Sequence, residues 1–574
     1  MLREKVKTYL ETIQGKKAFM KYYNICQIEP QNLYVDNTDY VERYIEEHIL
    51  LENCFSYFYD KEFSLEEIFE AIPEIMEYYP YFGESEITKM KFDEEFYVLL
   101  HKKVIGFYSN VNPRRYGEYY TSLEMINAAL PEVDIELKNK VIDPSCGSGF
   151  ILYAYVTVLL DKYNKNVNWD IMVKNLQENI YGFDVFPSAV IMTKLLLGYS
   201  IYRVDGYKKR IFYFNNIQIR NTLETLKCMS KEDFGIPLFD VILGNPPFFR
   251  VNPNGVKNIC NCTQYGHHYA HSLFLHWTLQ YLKESGTFCL ILPESMLTGF
   301  YYQKVRKELI DNAMIKNIIF NKEHEKMFDV QQDVMILIAQ KGVKEKYYFT
   351  SSSDTKTGKI KKYMLPISVY ENKYSVIPAI LNDSDIKLLR DVSMNEIVSD
   401  LSDVSISTGN FVWNQNKGKC FMENGYHRKP LISGPSIVDG RVLVEHNRTN
   451  TFMYCEPDKV HYTLTDKAIV FRRMSPMEND KRFIGAIIDP DLLGATGYVV
   501  ENHVNIIKGS NLKLNKLYDF LDSREFNDIL RLFCRTNQVS VSDIKTVFEI
   551  LSKMRKVELD EKQGRSIKRN RKIG

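Results

Sequence analysis

An α/β fold is predicted for the middle of this 574-residue chain, because short apolar runs alternate there with helical segments. Between about residues 106 and 345 the runs are "KVID", "NIYGFDV", "FDVILGN", "TFCLILP", "IKNIIF" and "DVMILIAQ". They are short and rich in β-branched and aromatic residues, as buried strands are. Strands alternating with helices build a parallel or mixed sheet covered by helices on its faces.

The flanks read differently. Residues 1–105 show apolar spacing of three and four in "DYVERYIEEHILLENCFSYFY" and "LEEIFEAIPEIMEYY", which predicts a helical domain. It is acidic: residues 1–100 hold 10 Lys and Arg against 21 Asp and Glu, leaving the rest of the chain net basic by roughly 12 charges. A basic body suits a polyanion, and an acidic first domain faces something else. From 346 to 560 the chain mixes Gly, Asn and β-branched residues with late helical pattern, so a mixed α+β domain is expected. Its opening stretch, "SSSDTKTGKIKKY", reads as a linker or a hairpin with a loop. Residues 561–574 are strongly basic and predict a disordered tail. The ten cysteines have no framework spacing, and no apolar stretch approaches the roughly 18–20 residues that span a bilayer. The start, "MLREKVKTYL", is charged and amphipathic rather than a signal peptide. A cytoplasmic protein without a membrane segment is the expectation.

Two stretches carry chemistry. In "VIDPSCGSGFILYAYV" a strand ending in Asp143 runs through a Gly-rich turn into a helix near Phe150. Gly147 and Gly149 let backbone pass close to a ligand, and the helix N-terminus aims its amides there. The turn is not the dinucleotide pattern Gly-x-Gly-x-x-Gly, and the carboxylate of Asp143 suits a cationic amine better than a phosphate. The next strand ends in Asp184, placed as the acidic residue that holds ribose hydroxyls in Rossmann-like sheets. A third strand-like stretch, "NNIQIRNTL", offers Asn221 to an adenine ring, and "RRYGEYYTSLEMI" puts Gly117, Tyr120 and Thr121 before a helix. In this order the elements favour S-adenosylmethionine. The second stretch, Asn245-Pro246-Pro247-Phe248, follows "FDVILG". The Asn245 amide oxygen and the Pro246 carbonyl offer two acceptors to one exocyclic amine, and Phe248 offers a ring to the planar system bearing it. Adenine N6 fits that description, although Asn-Pro is also an ordinary turn signal.

The ordered set "YGEYYTS", "DPSCGSGF", "YGFD", "ILGNPPF", "ILPESML" and "MFDVQQDVMILI", covering about residues 115–340, resembles the gamma-ordered N6-adenine DNA methyltransferases. The resemblance implies a Rossmann-like class I S-adenosylmethionine-dependent methyltransferase domain, followed by a target-recognition domain. It implies that Tyr120, Thr121, Asp143, Pro144, Cys146, Gly147, Gly149, Asp184, Asn221 and Asn245 line the cofactor pocket. It also makes Asn245, Pro246, Pro247 and Phe248 catalytic, with Phe248 and Phe328 stacking on a flipped adenine. The pattern departs at Phe248, where most members have Tyr, at Ser122 in place of Pro, and at Asn221 in place of a common Asp.

The implied partners are double-stranded DNA and, in a restriction–modification system, a cognate restriction endonuclease; a monomer or small assembly is expected. Arg472 and Arg473 in "AIVFRRMSPME" are candidate DNA contacts, with a salt-bridged pair as the competing reading. Cys260, Cys262, His267, His268 and His271 have residue types that bind zinc, but at no common spacing, so no metal is expected. Residues 1–105 show no carboxylate–carboxylate–lysine nuclease cluster. Two other readings stay open: an enzyme acting on RNA or on protein glutamine, and a non-catalytic or partner-dependent subunit keeping the fold.

Overall fold

The computed structural model describes residues 2–26, 41–51, 70–79, 126–127, 129–163, 168–205, 212–226, 235–251, 268–321, 334–342, 347–354, 359–366, 373, 375–380, 382–399, 401, 403–444, 452–457, 462–476 and 479–570. They fall into two compact units, residues 1–293 with 307–362, and residues 294–306 with 363–574.

A nine-stranded sheet runs in the order β3-β2-β1-β4-β5-β7-β6-β8-β9, and the first unit is built on β1 to β8 with the start of β9. The strands of this sheet are β1 (Val141–Asp143), β2 (Ile180–Asp184), β3 (Ile217–Ile219), β4 (Phe239–Gly244), β5 (Leu282–Pro293), β6 (Ala313–Asn321), β7 (Val334–Lys341), β8 (Tyr347–Asp354) and β9 (Lys359–Pro366). The strands from β3 to β5 pair in parallel, and β7 runs antiparallel to both β5 and β6. Helices Phe150–Tyr163 and Pro187–Asp205 make the crossovers. Both are apolar nearly all round, as helices packed between a sheet and other helices must be.

β1 is where the strand order reverses: β2 and β3 lie to one side, β4 and β5 to the other. In open α/β sheets, ligands enter the crevice at the carboxyl ends of the strands flanking such a point.

The sheet also runs past residue 345. Tyr348 and Thr350 are buried on β8 while Phe349 between them is partly exposed; Tyr363 and Leu365 are buried on β9 with Lys362 and Met364 exposed. Alternation with period two makes these segments strands, and β8 pairs in parallel with β6. The "SSSDTKTGKIKKY" stretch therefore contributes strand residues to the sheet.

The acidic N-terminal helices share the core of this unit. Tyr22, Tyr44, Leu51, Ile75 and Tyr79 belong to the same buried cluster as Phe150, Leu152, Val190 and Leu197. Arg43 donates to Glu47 at 2.7 Å, and Tyr79 donates its hydroxyl to the other Glu47 oxygen at 2.6 Å, all three side chains buried. The Arg43 guanidinium lies 3.5 Å from the centroid of the Phe186 ring, just beyond the end of β2. Lys194 of the Pro187–Asp205 helix pairs with Glu74.

The second unit holds a four-stranded sheet (β10 Ser405–Thr408, β17 Ala468–Arg472, β18 Gly485–Ile488, β20 Val504–Lys508), a five-stranded one (β11 Cys420–Phe421, β12 Lys429–Ile432, β15 Tyr454–Cys455, β16 Thr463–Leu464, β19 Tyr498–Val500) and a two-stranded one (β13 Ile437–Val438, β14 Arg441–Val442). Segment Glu294–Arg306, which begins within the "ILPESML" stretch, belongs here. Buried Glu294 pairs with Arg535 at 2.7 Å, and buried Arg306 donates to the carbonyls of Met296, Gly299 and Ser375.

Helix Val541–Asn570 carries the backbone through most of the basic stretch expected to be disordered. Ser540 and Asp543 cap its start reciprocally, and the residues beyond contain no proline and many Lys, Arg, Glu and Gln, which are good helix formers. A helix begun there propagates; residues 571–574 lie outside the described residues. Among the described residues, no helix is long and apolar enough to cross a membrane.

Removing Glu47 would strand the buried Arg43 charge. Glu47→Ala should cost about 3–5 kcal/mol of unfolding free energy, measured by urea denaturation, whereas exposed Glu4→Ala should change it little.

Candidate active site

Two carboxylates are fastened to one turn. β1 ends at Asp143, whose Oδ1 accepts the Ser145 N–H at 2.9 Å. β2 ends at Asp184, which accepts the N–H of Gly147 and that of Phe186, each at 2.9 Å. Gly147 and Gly149 have φ of 51° and 85°, and a Cβ on Gly149 would come within 2.8 Å of Thr193 Cα, so no side chain fits there. Thr193, buried on the Pro187–Asp205 helix, donates its hydroxyl to the Gly147 carbonyl at 3.0 Å. The helix that follows opens with Tyr153 N–H bonded to Gly149 O at 2.8 Å.

Burial pushes the Asp143 carboxyl up to about 8, the Ser145 N–H pulling the other way and the neighbouring Asp184 adding to the rise. Asp184 is also raised by burial, against which the Phe186 and Gly147 amides and the Arg43 guanidinium act. A buried acid held near neutrality is relieved by a cation placed beside it.

β4 sets the second half of the site against the first. A Cβ on Gly244 would lie 3.2 Å from Asp143 Oδ1, and the Ser145 hydroxyl is 3.5 Å from the Asn245 carbonyl. Asn245 Oδ1 is itself buried, Pro246 is buried, and Pro247 and Phe248 are partly so. Two successive prolines have no N–H to pair and take the chain out of the sheet here. The Phe248 ring then meets the His271 ring edge-on, centroids 5.6 Å apart at 87°. Val251 and Ala270 donate to the carbonyls of His268 and Phe249, a short antiparallel clasp that binds the loop to the helix Ala270–Tyr281. His271 is buried, and burial holds its pKa down at about 3, so it is a neutral ring at physiological pH. The residue considered as a zinc candidate is thus a wall for Phe248.

The structure brings together Asp143, Pro144, Cys146, Gly147, Gly149, Asp184 and Asn245. Asn221 stands at the end of β3, where its Oδ1 accepts the Leu223 N–H at 3.1 Å and caps the turn Thr222–Leu226. Its oxygen is engaged in that cap. Next to it Thr222 donates its hydroxyl to Pro144 O, tying the β3 turn to the β1 turn. Tyr120, Thr121 and Phe328 lie outside the described residues, as do Cys260, Cys262 and His267. Among the described residues, no group of three His, Cys, Asp or Glu is placed to hold a metal. Arg472 and Arg473 lie in the second unit; Arg472 donates to Ile437 O at 3.1 and 2.6 Å, and Arg473 to Gln538 at 3.3 Å.

Three contributors escape a reading of the sequence: Thr193, Thr222 and Arg43. Each acts across dozens of residues and belongs to no local motif. The role of His271 is also missed, since its spacing to Phe248 gives no signal before the loop is folded.

Residues 100–375 match the family model described as N-6 DNA Methylase. The chain is 20% identical over 453 residues to the type II methyltransferase M.BsuBI of Bacillus subtilis, covering 76% of this chain and 88% of that one. It is 24% identical to M.PstI of Providencia stuartii, over 54% of this chain and 65% of that protein. It is 26% identical to the type I restriction enzyme EcoEI methylase subunit of Escherichia coli, over 35% and 38%. It thus spans most of the Bacillus protein but less than two thirds of the other two. In fold it resembles the DrdV–DNA complex, with TM-score 0.52 and 12% identity, covering 91% of this chain and 65% of that one. It also resembles the DNA-bound Type ISP enzyme LlaBIII, with TM-score 0.50 and 12% identity, over 88% and 42%. The family segment spans the sheet, the Asp143 turn and the Asn-Pro-Pro-Phe corner, so residues 100–375 match the N-6 DNA Methylase family, and the chain is similar to methyltransferases of restriction–modification systems.

Proposed function

We propose that this chain carries out the family's reaction, adenine N6 methylation of double-stranded DNA, at Asn245, Pro246, Pro247 and Phe248, with S-adenosylmethionine as donor. The observation that supports this most is the close approach of the β1 and β4 ends: Asp143 and Asn245 meet at the sheet's switch point, with Gly244 keeping the space between them small.

The turn suits the cofactor on three counts. Asp143 offers a buried acid to a cation, Gly149 leaves a cradle that any Cβ would fill, and the Ser148 hydroxyl is buried with no hydrogen-bond partner among the described residues. Asp143, Gly147 and Asp184 would hold it, and when bound it supplies an electrophilic methyl on a sulfonium.

The rest falls to the chain's own groups. The adenine N6 lone pair is delocalised into the ring and is a poor nucleophile. Asn245 Oδ1 and the Pro246 carbonyl accept hydrogen bonds from the amine, which favours a pyramidal nitrogen and frees the lone pair. Phe248, backed by His271, offers its face to the unstacked base, offsetting part of the cost of taking it out of the duplex. The excess proton then leaves N6, and with neutral His271 spent on packing, solvent is the simplest acceptor. In this reading the second unit, rather than all of residues 346–560, serves target recognition, because β8 and β9 belong to the large sheet, and the protein works in the cytoplasm beside a cognate restriction endonuclease.

Single-molecule sequencing of DNA from cells expressing the protein should show N6-methyladenine in one defined motif. With Asn245→Ala the signal should vanish, turnover falling by about 100-fold or more while DNA affinity persists. Near-normal turnover in that variant would place the chemistry elsewhere. Phe248→Ala should reduce both base capture and rate, by about tenfold or more in kcat/KM.

Asp143 gives a pH signature. Its folded pKa of about 8 lies above the ordinary 3.8, so between those values the folded chain keeps a proton that the unfolded chain has lost. Stability from this group is full below pH ~3.8 and declines as pH rises toward ~8. Asp143→Asn should abolish that decline in Tm, leaving a variant more stable than wild type at pH 8. The same substitution should weaken S-adenosylmethionine binding by about tenfold or more, measured by calorimetry. In the wild type, cofactor affinity should rise with pH up to about 8, as the carboxyl ionises.

A further inference from the structure

We infer that the second unit contains a separate pocket for an unstacked nucleobase bearing an exocyclic amine. The inference rests on the DNA reading above. The pocket is a cavity of about 330 Å³ with Trp413, Phe452, Met474, Arg472, Glu501 and His503 in its lining. That volume is at the lower end of small-molecule sites, and the make-up is theirs: apolar and aromatic walls with a few converging polar groups.

The walls are aromatic and partly open. Trp413 and Phe452 meet at 54° with centroids 6.0 Å apart, forming a corner, and Trp413 is 37% exposed. Met474, 50% exposed, stands at the β17 end. The indole face and a flexible thioether suit a flat ring sliding between them.

Glu501 supplies the polar group. Its side chain is 4% exposed, and its carboxylate accepts His503 N–H at 3.1 Å and meets His503 Nδ1 at 2.5 Å. The backbone here is tightly fastened: Glu501 N–H donates to Ile432 O and Asn502 N–H to Phe411 O, both at 3.0 Å, and Arg473 N–H to His503 O at 2.9 Å. A fixed, buried carboxylate at the wall of an aromatic cavity accepts from N–H groups and repels phosphate. Cytosine N4 and the amines of adenine and guanine satisfy it; thymine offers only its ring N–H.

Cations flank the aromatic wall. Lys417 Nζ lies 5.8 Å from the Trp413 ring centroid, and Arg472 is held by its two bonds to Ile437 O. An apolar peptide side chain would leave Glu501 without use, and a free anion would be repelled by it. A base attached to a phosphate backbone uses the ring, the carboxylate and the cations together.

Tryptophan fluorescence of the full chain, titrated with short homo-oligomers of deoxycytidine and of thymidine, tests this. Of the three tryptophans, Trp277 is fully buried and Trp169 is half-buried on a helix of the first unit, so the part of any quench that Trp413→Phe removes reports stacking on Trp413. The deoxycytidine oligomer should quench and bind more tightly than the thymidine one. Trp413→Phe should bind it with the quench lost, and Trp413→Ala should bind about tenfold or more weakly. Glu501→Gln, near-isosteric and checked for an unchanged Tm, should erase the preference for deoxycytidine. Equal binding by wild type and Trp413→Ala, equal quenching by inorganic polyphosphate, or no preference between the two oligomers would overturn the pocket. Those results alongside N6-methyladenine in cells would sink the pocket alone. No binding to any DNA and no methylated adenine would sink the DNA reading with it.

Discussion

The site depends on two parallel strands, β1 and β4, ending side by side at the point where the sheet changes direction. Parallel pairing sets Val141 opposite Val241 and Ile142 opposite Ile242, so Asp143 and Gly244 end their strands within one residue of the same level, and the absence of a side chain on Gly244 lets the two turns that follow approach closely. From that one registration come the nearness of the acid turn to Asn245, the bond distance between Ser145 and the Asn245 carbonyl, and the position of Phe248. The other pieces hold the turns in place: Thr193 from behind, Thr222 from the β3 side, His271 beneath the aromatic ring.

Electrostatics adds a tension to this geometry. Two carboxylates close to one turn, both raised by burial, oppose each other and the folded state alike. Arg43 acts against that repulsion from the N-terminal helices, which share the core of the large sheet. This arginine is paired to Glu47 and laid over Phe186, where the sheet holds its acids.

Strand content was readable because each strand of the parallel half is a short apolar run ending in a turn residue, and the two chemical stretches sit on such ends. Asp143, Gly147, Asp184 and Asn245 were identifiable by local spacing, and the structure brings them together. Other features depend on distant partners that no local pattern names. The lysines of "KIKKYML" and the polar run before it read equally as a linker or as a hairpin with a loop, and the burial of Tyr363 and Leu365 on β9 decides for strand. Periodicity in the N-terminal helices shows that one face is buried, without showing against what. His271 has the residue type of a metal ligand, and only its burial and contact with Phe248 reveal a packing role. Basic composition at the C-terminus predicted disorder, while helix propensity and the Ser540–Asp543 cap carried the backbone into a helix.

The placement of β7 between β5 and β6 bears on how this sheet is made during synthesis. β5 leaves the ribosome with β4 beside it, and its other neighbour lies some forty residues further on, beyond β6. Until Lys341 has emerged, the nascent chain carries a long apolar strand with one edge unpaired, and β6 has no place in the sheet. Open edges of this kind recruit other strands, so chaperone capture or a translational pause would matter most as residues 293–341 emerge. The late insertion of a single antiparallel strand thus makes the timing of elongation part of the folding problem.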